Sequence, residues 1–205
     1  MIRLGFLASN NGTGLRAVVA AIEAGELAAQ ARLVVSNKTA APALAFAADR
    51  GIATLCIPTV RDPVGADRAL AAAFIDAGAE LIVLSGYLRK LGPAVLNAYG
   101  ARIVNIHPAL LPRHGGEGMY GRRVHEAVIR AGDRVTGASV HLVDDAYDHG
   151  PVVAQVSLAV TPGETAESIE RRVTAAEPEL LVRTVQRIAA GELDLAQFAA
   201  EEALR

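Results

Sequence analysis

At 205 residues, with 52% hydrophobic side chains, the chain has the apolar content for one α/β domain with a sizeable core and is cramped for two. A net charge of −2 excludes a general attraction to nucleic acid or to an anionic membrane, so an anionic substrate needs a local site. The single cysteine, Cys56, excludes an intramolecular disulfide framework and reads as a buried, unreactive strand thiol.

Met1-Ile2-Arg3 runs straight into a short strand, without the apolar segment and cleavage site of a signal peptide, and no run approaches transmembrane length. The expectation is a soluble cytoplasmic protein. Residues 2–8 form that strand, followed by the polar turn Ser9-Asn10-Asn11-Gly12-Thr13-Gly14 and a helix carrying Leu15, Val18, Val19 and Ile22 at helical spacing. Strand, glycine-rich turn and helix suit an anion, because the helix amino terminus leaves amides unpaired and glycine lets the anion approach the backbone. The same letters also suit a plain turn in which Asn and Gly take positive φ and Thr13 caps the helix. The spaced-glycine dinucleotide fingerprint and the Gly-Lys-Ser/Thr ending of a P-loop are both missing, which argues against NAD binding and nucleotide hydrolysis.

Residues 32–36 read as the second strand, 42–50 as a helix stopped by Gly51, 54–57 as the third strand and 67–77 as the next helix after a loop. Leu81-Ile82-Val83-Leu84 is a fully apolar fourth strand, and residues 93–98 are a short helix. Apolar runs alternating with helices imply a parallel sheet covered on both faces, in a single doubly wound α/β unit. Tyr87-Leu88-Arg89-Lys90-Leu91 follows the fourth strand's carboxyl end, so it borders the same crevice as Gly12; its apolar residues suit a flat ring system or a cap on the core.

The organising stretch is residues 101–112. Ile103 and Val104 begin a strand that Pro108 must end, since proline has no N–H for the ladder. Asn105 and His107 lie two apart and therefore project to one side at the strand's carboxyl end. An amide and a protonatable ring aimed at one point can stabilise an oxygen as it becomes negative and then supply a proton, although a histidine at a strand end also fits a structural role. The glycine-rich loop at residues 115–121 has the composition of a segment that closes over a ligand, or of a mobile surface loop. After a helix at 124–131, Ser139, His141 and Val143 share one face of a strand at 138–143. The turn Asp144-Asp145-Ala146-Tyr147-Asp148-His149-Gly150-Pro151 leads to a partner strand at 152–156, making an antiparallel hairpin. The acidic turn lacks the full calcium-loop pattern and no Cys/His cluster suits zinc, so no metal is expected. A long helix begins near Thr165 and ends at Gly191, with Glu177 near its middle and Pro178 placed to kink or divide it. Residues 194–205 read as a charged amphipathic tail that packs weakly beyond a 1–193 domain.

Asn105-Ile106-His107-Pro108-Ala109-Leu110-Leu111-Pro112, then Gly137-Ala138-Ser139-Val140-His141 and Asp148-His149-Gly150-Pro151-Val152, resemble the folate-dependent formyltransferases. With Ser9 to Leu15 and Ser36-Asn37-Lys38, the resemblance covers residues 1–193 and is to the branch that formylates phosphoribosylglycinamide in purine biosynthesis. It implies a Rossmann-like, mostly parallel sheet and formyl transfer from 10-formyltetrahydrofolate, as co-substrate, to the glycinamide amine without a metal. By the same resemblance Asn105 binds the carbonyl oxygen, His107 acts as general acid and Asp148 keeps His107 protonated. Gly12, Thr13 and Gly14 cradle the substrate phosphate, and Glu177 accepts hydrogen bonds from the sugar hydroxyls. Leu88, Arg89, Lys90 and Leu91 line the folate pocket with Asn105 and with Asp144, Asp145, Ala146, Tyr147 and Asp148. Ser139 and His141 stand behind the catalytic Asp as supports. The expected partners are these small molecules, with no nucleic acid or membrane, in a monomer or homodimer.

Three departures from the family pattern bear on binding. Asn10 and Gly14 exchange the usual Gly and Asn of the turn, which removes a side-chain contact to phosphate. The 115–121 loop is longer than the commonest version. The segment 59–65 is short and leaves Arg61 as the nearest candidate for a folate-contacting arginine. Relatives acting on methionyl-tRNA carry an added carboxyl-terminal domain and formyltetrahydrofolate deformylases an added amino-terminal one, and 205 residues have room for neither. A deformylase using the same residues, formyl transfer to an amino-sugar nucleotide, and a non-catalytic phosphometabolite binder are the competing readings.

Overall fold

The computed structural model describes residues 1–202. Fourteen elements alternate along them: β1 (Ile2–Leu7), α1 (Thr13–Glu23), β2 (Ala29–Ser36), α2 (Pro42–Ala48), β3 (Ala53–Cys56), α3 (Pro63–Asp76), β4 (Leu81–Leu84), α4 (Pro93–Tyr99), β5 (Ile103–His107), α5 (Arg122–Arg130), β6 (Val135–Leu142), β7 (Val152–Ala159), α6 (Ala166–Ala189) and α7 (Leu195–Glu202). The strands form one sheet in the order β3-β2-β1-β4-β5-β6-β7. The first five are parallel, and β6 and β7 are added antiparallel. Strand order reverses between β1 and β4, and at such a switch point the loops leaving neighbouring carboxyl ends part to open a crevice.

Alternation along the central strands divides the core. Leu4, Phe6, Leu81 and Val83 face α1, α2 and α6, where Leu15, Val18, Phe46, Leu181 and Val185 close over them. Leu7, Ile82, Leu84 and Ile103 face the other way, against Leu70 and Phe74 of α3 and Val95 and Tyr99 of α4. Both layers are sealed, so only the strand ends remain for a ligand. Among the described residues no helix is long and apolar enough to cross a membrane.

Several local expectations change. Thr13 does not cap α1: it is the first helical residue, and Gly12 takes the cap position at φ 62°, a left-handed conformation that glycine adopts without steric penalty. α3 starts at Pro63 rather than residue 67, because Asp62 accepts a hydrogen bond from Gly65 N at 2.8 Å and Pro63 supplies a preset first turn. Cys56 is only half-buried, since β3 is an edge strand. Pro178 neither ends nor divides α6, which runs unbroken for 24 residues. The tail is also better attached than expected: Leu195 is buried, and Phe198 and Ala199 pack on the same core as α1 and α6.

Candidate functional site

A cleft of about 700 Å³ opens over the carboxyl ends of β1, β4 and β5. The β1–α1 turn, the segment after β4, the end of β5, the 116–121 loop, the β6–β7 turn and one face of α6 form its walls. That volume is in the range of small-molecule sites.

On the β1–α1 side, Leu15 N donates to Ser85 Oγ (3.0 Å) and Arg16 N to Gly12 O (2.9 Å). The amides of Thr13 and Gly14, the first two of the helix, lie at the cleft wall ahead of any intrahelical acceptor. A Cβ at Gly14 would stand 2.5 Å from Leu181 Cδ2, so a side chain there requires that buried leucine to move. Asn10, the other exchanged turn position, accepts from Lys38 Nζ at 2.9 Å and fastens the turn to the end of β2. Ser9 Oγ likewise donates to Asn37 Oδ1 (2.7 Å) and accepts from Leu88 N (3.0 Å), joining the turn to the segment after β4. Asp67 of α3 steadies that segment's far end by accepting from Gly92 N, Ala94 N and Val95 N, so one buried carboxylate caps α4.

Asn105 and His107 stand on β5, and the register sets Asn105 directly opposite His141 of β6. The Asn105 amide Nδ2 lies 3.0 Å from His141 Nε2, while His141 Nδ1 donates to Leu142 O at 2.7 Å. With Nδ1 carrying that hydrogen, the neutral ring accepts from Asn105 through Nε2 and fixes which way the amide faces. His107 is buried, with Nδ1 3.3 Å from Asp148 Oδ2 and Nε2 donating to His114 O at 2.9 Å. Asp148 reaches back from the β6–β7 turn at φ 54° and accepts from Gly116 N at 3.1 Å, and its Oδ1 is 3.6 Å from His141 Nε2. Burial alone raises the Asp148 carboxyl, but the hydrogen bond from His107, the His107 charge and Gly116 N together hold it well below the usual carboxylate range. A permanent anion is thus set between two imidazoles.

On α6, Glu170, Thr174 and Glu177 recur at helical spacing along the cleft. Burial pushes the Glu177 carboxyl up to about 7, opposed by the charge of His107. His125 of α5 also lines the cleft; it is buried, and its Nδ1 has no hydrogen-bond partner. Burial pushes its ring down, against the pull of Glu170.

Of the residues expected from sequence, Gly12, Thr13, Gly14, Leu88, Arg89, Lys90, Leu91, Asn105, His107, His141, Asp144, Ala146, Tyr147, Asp148 and Glu177 line this one cleft. Asp145 does not; it is exposed, because Asp144 rather than Asp145 organises the turn by accepting from Ala146 N and pairing with His149. Ser139 is not a support for Asp148. It donates to Ala109 O (2.6 Å) and accepts from Leu111 N (3.0 Å) and Gln155 Nε2 (2.8 Å), so it braces the turn after β5. Arg61 is exposed and off the cleft, whereas Arg89 and Arg123 stand on its wall. Sequence reading missed Arg123, His125, Glu170 and Thr174. The helical spacing of Glu170 and Thr174 with Glu177 was a usable signal; His125, between Val124 and Glu126 on an amphipathic helix, carried none. Among the described residues no group of three or more His, Cys, Asp and Glu is placed to hold a metal ion.

The formyl transferase family matches residues 2–185. A phosphoribosylglycinamide formyltransferase from Escherichia coli is 34% identical over 95% of this chain and 90% of its own length. The chloroplastic phosphoribosylglycinamide formyltransferase of Vigna unguiculata is 33% identical over 91% of the chain, which covers 60% of that longer relative. The crystal structure of a phosphoribosylglycinamide formyltransferase from Coxiella burnetii superposes with a TM-score of 0.85 at 36% identity, covering 93% of this chain and 88% of the other.

Proposed function

The chain belongs to the formyl transferase family, and from that membership we infer that it moves the formyl group of 10-formyltetrahydrofolate onto the amine of phosphoribosylglycinamide, a step of purine biosynthesis. One observation carries the reading beyond the family: an amide, an imidazole and a buried carboxylate from two distant segments share a cleft with the unpaired amides of a helix start.

In this reading the phosphate of the amine substrate sits on the Gly12, Thr13 and Gly14 backbone, where the helix dipole and two unpaired N–H groups favour an anion. Glu177 accepts from the sugar hydroxyls. The folate donor, a second substrate, lies along residues 88–91 and the Asp144 to Asp148 turn, with backbone groups doing most of the holding. The neutral amine attacks the formyl carbon, and the carbonyl oxygen gains negative charge as the new C–N bond forms. Asn105, its amide fixed by His141, donates to that oxygen, and such a donor contributes about 3 to 4 kcal/mol to lowering a barrier. His107 supplies a proton and Asp148 stabilises its charged form. The attacking nitrogen loses a proton as the bond to the folate nitrogen breaks and that nitrogen gains one, so protons balance over the turnover. A 1–193 catalytic unit, a cytoplasmic location, and a monomeric or homodimeric state belong to the same reading.

Incubating the protein with 10-formyltetrahydrofolate, with and without phosphoribosylglycinamide, tests it. Tetrahydrofolate released only when the amine is present is the expected result. Equal release without the amine would identify a hydrolase, and release in neither case would rule out formyl chemistry on this donor.

A further inference from the structure

We propose that His114 is a positioning residue for His107: its side chain is anchored on Asp133 so that its main-chain carbonyl holds His107 Nε2, leaving Nδ1 to Asp148 and the cleft. The kinetic consequence rests on the reading of His107 as the general acid, whereas the hydrogen-bond geometry stands without it.

His114 has φ 56°, and among the described residues only it and Asp148 are non-glycine residues with positive φ. A side chain with a Cβ is strained in that region, and such a conformation persists only where its surroundings impose it. Here two contacts impose it from opposite ends of the residue. The ring Nε2 lies 2.7 Å from Asp133 Oδ2, and the carbonyl accepts from His107 Nε2 at 2.9 Å. Asp133, just past the end of α5, is itself paired with Arg113, the residue before His114. The hydrogen bond from His114 also holds the Asp133 carboxyl below its usual range, with Arg113 adding to the effect.

The consequence for His107 follows from what a carbonyl can do. It only accepts, so Nε2 carries a hydrogen and cannot turn toward the cleft without breaking this bond. The ring is then fixed by a carbonyl on one nitrogen and a carboxylate on the other. Asp133 thereby orients the catalytic imidazole without touching it, through three linked contacts from Asp133 to His114, to His107 and to Asp148. Nothing in this linkage touches the amides of the β1–α1 turn or the 88–91 wall.

The test uses the full chain with Asp133→Ala, His114→Ala, His114→Gly and His114→Gln. It reads kcat and KM for formyl transfer, and the imidazole N–H signal of His107 Nε2 by nitrogen-edited NMR in the ligand-free protein. Misplacement of a reacting group by an ångström typically reduces rate by about a hundredfold, so Asp133→Ala and His114→Ala are expected to lower kcat by roughly ten- to a hundredfold with KM within about twofold, and to lose the protected signal. Gln keeps an N–H at similar reach to Asp133 and is expected to hold kcat within about threefold of the parent. Gly, which adopts positive φ freely, is expected to exceed Ala by about threefold or more, an order that a packing role for the imidazole would not produce. Parental kcat and an intact Nε2 signal in folded Asp133→Ala and His114→Ala would overturn the proposal, as would a fall in kcat with the signal retained. If Asp133→Ala does not fold, the order Gln, Gly, Ala at position 114 decides alone. If the parent transfers no formyl group, the NMR signal still decides the positioning, and the failure belongs to the reaction assignment.

Discussion

Replacing Glu177 by glutamine removes one ionisable carboxyl from the cleft with almost no change of volume, and the structure assigns that carboxyl a measurable pH signature. Burial raises it from 4.5 to about 7, the charge of His107 opposing. Between those two values the folded protein keeps a proton that the unfolded chain has released, so stability falls as pH rises through the window. The stabilisation is fully present below about 4.5 and is gone above about 7. At 1.36 kcal/mol per pH unit, a rise from 4.5 to about 7 corresponds to about 3 kcal/mol. Other groups titrate nearby with their own signs: Asp148, held low, stabilises at neutral pH, and His125, held low by burial, stabilises as pH rises. The decisive quantity is therefore the difference between parent and Glu177→Gln, in which those contributions cancel. Urea unfolding of both proteins at intervals from about pH 4 to 8 yields it, and the parent is expected to lose about 3 kcal/mol relative to the variant across that range. A difference that stays flat, or that rises with pH, refutes the argument that burial governs this carboxyl.

His107→Ala is expected to lower turnover at least about a hundredfold, the scale of general-acid contributions, and to lower the unfolding midpoint as well, because Asp148 and His114 O lose their donor. Asn105→Ala, which removes the amide donor opposite His141, is expected to lower kcat by about a hundred- to a thousandfold while KM for the folate moves little. Asp67→Ala leaves three amides at the start of α4 without their acceptor, so urea denaturation is expected to show a loss of about 1 to 3 kcal/mol. Ser139→Ala strips the brace from the turn after β5 and is expected to lose about 1 to 3 kcal/mol.

Much of the sheet was legible because its strands are nearly pure apolar runs. Leu81-Ile82-Val83-Leu84 can be nothing but a strand buried on both faces, and the structure gives it those bounds. The antiparallel hairpin was equally plain from the alternation around Ser139 and His141. Ends that depend on side-chain capping were harder. α3 begins four residues early because Asp62 reaches forward to Gly65 N, and Thr13 yields the cap position to Gly12 because the turn needs positive φ there. Residues 194–205 read as a weakly packed tail because of their charged, amphipathic composition, yet Leu195 and Phe198 suffice to fix the start of α7 on a core built by distant segments.

The site divides along the same physical line. Asn105 and His107 were legible as a pair because a strand's period of two aims them together and the following proline marks the strand's carboxyl end. The partners that orient them come from afar: His141 faces Asn105 only through the register of β6 on β5, and Asp148 reaches His107 only because the β6–β7 turn folds back at positive φ. Ser139 shows the limit of carrying a role over from a resemblance. The family likeness implies a support for Asp148, yet its hydroxyl is taken up by Ala109 O and Leu111 N on the turn it actually crosses. His114 shows the converse, since its carbonyl, not its side chain, meets His107, and a backbone atom leaves no mark in the letters. A sequence thus specifies which side chains are available at a strand end, while the hydrogen bonds that aim them depend on register and backbone conformation.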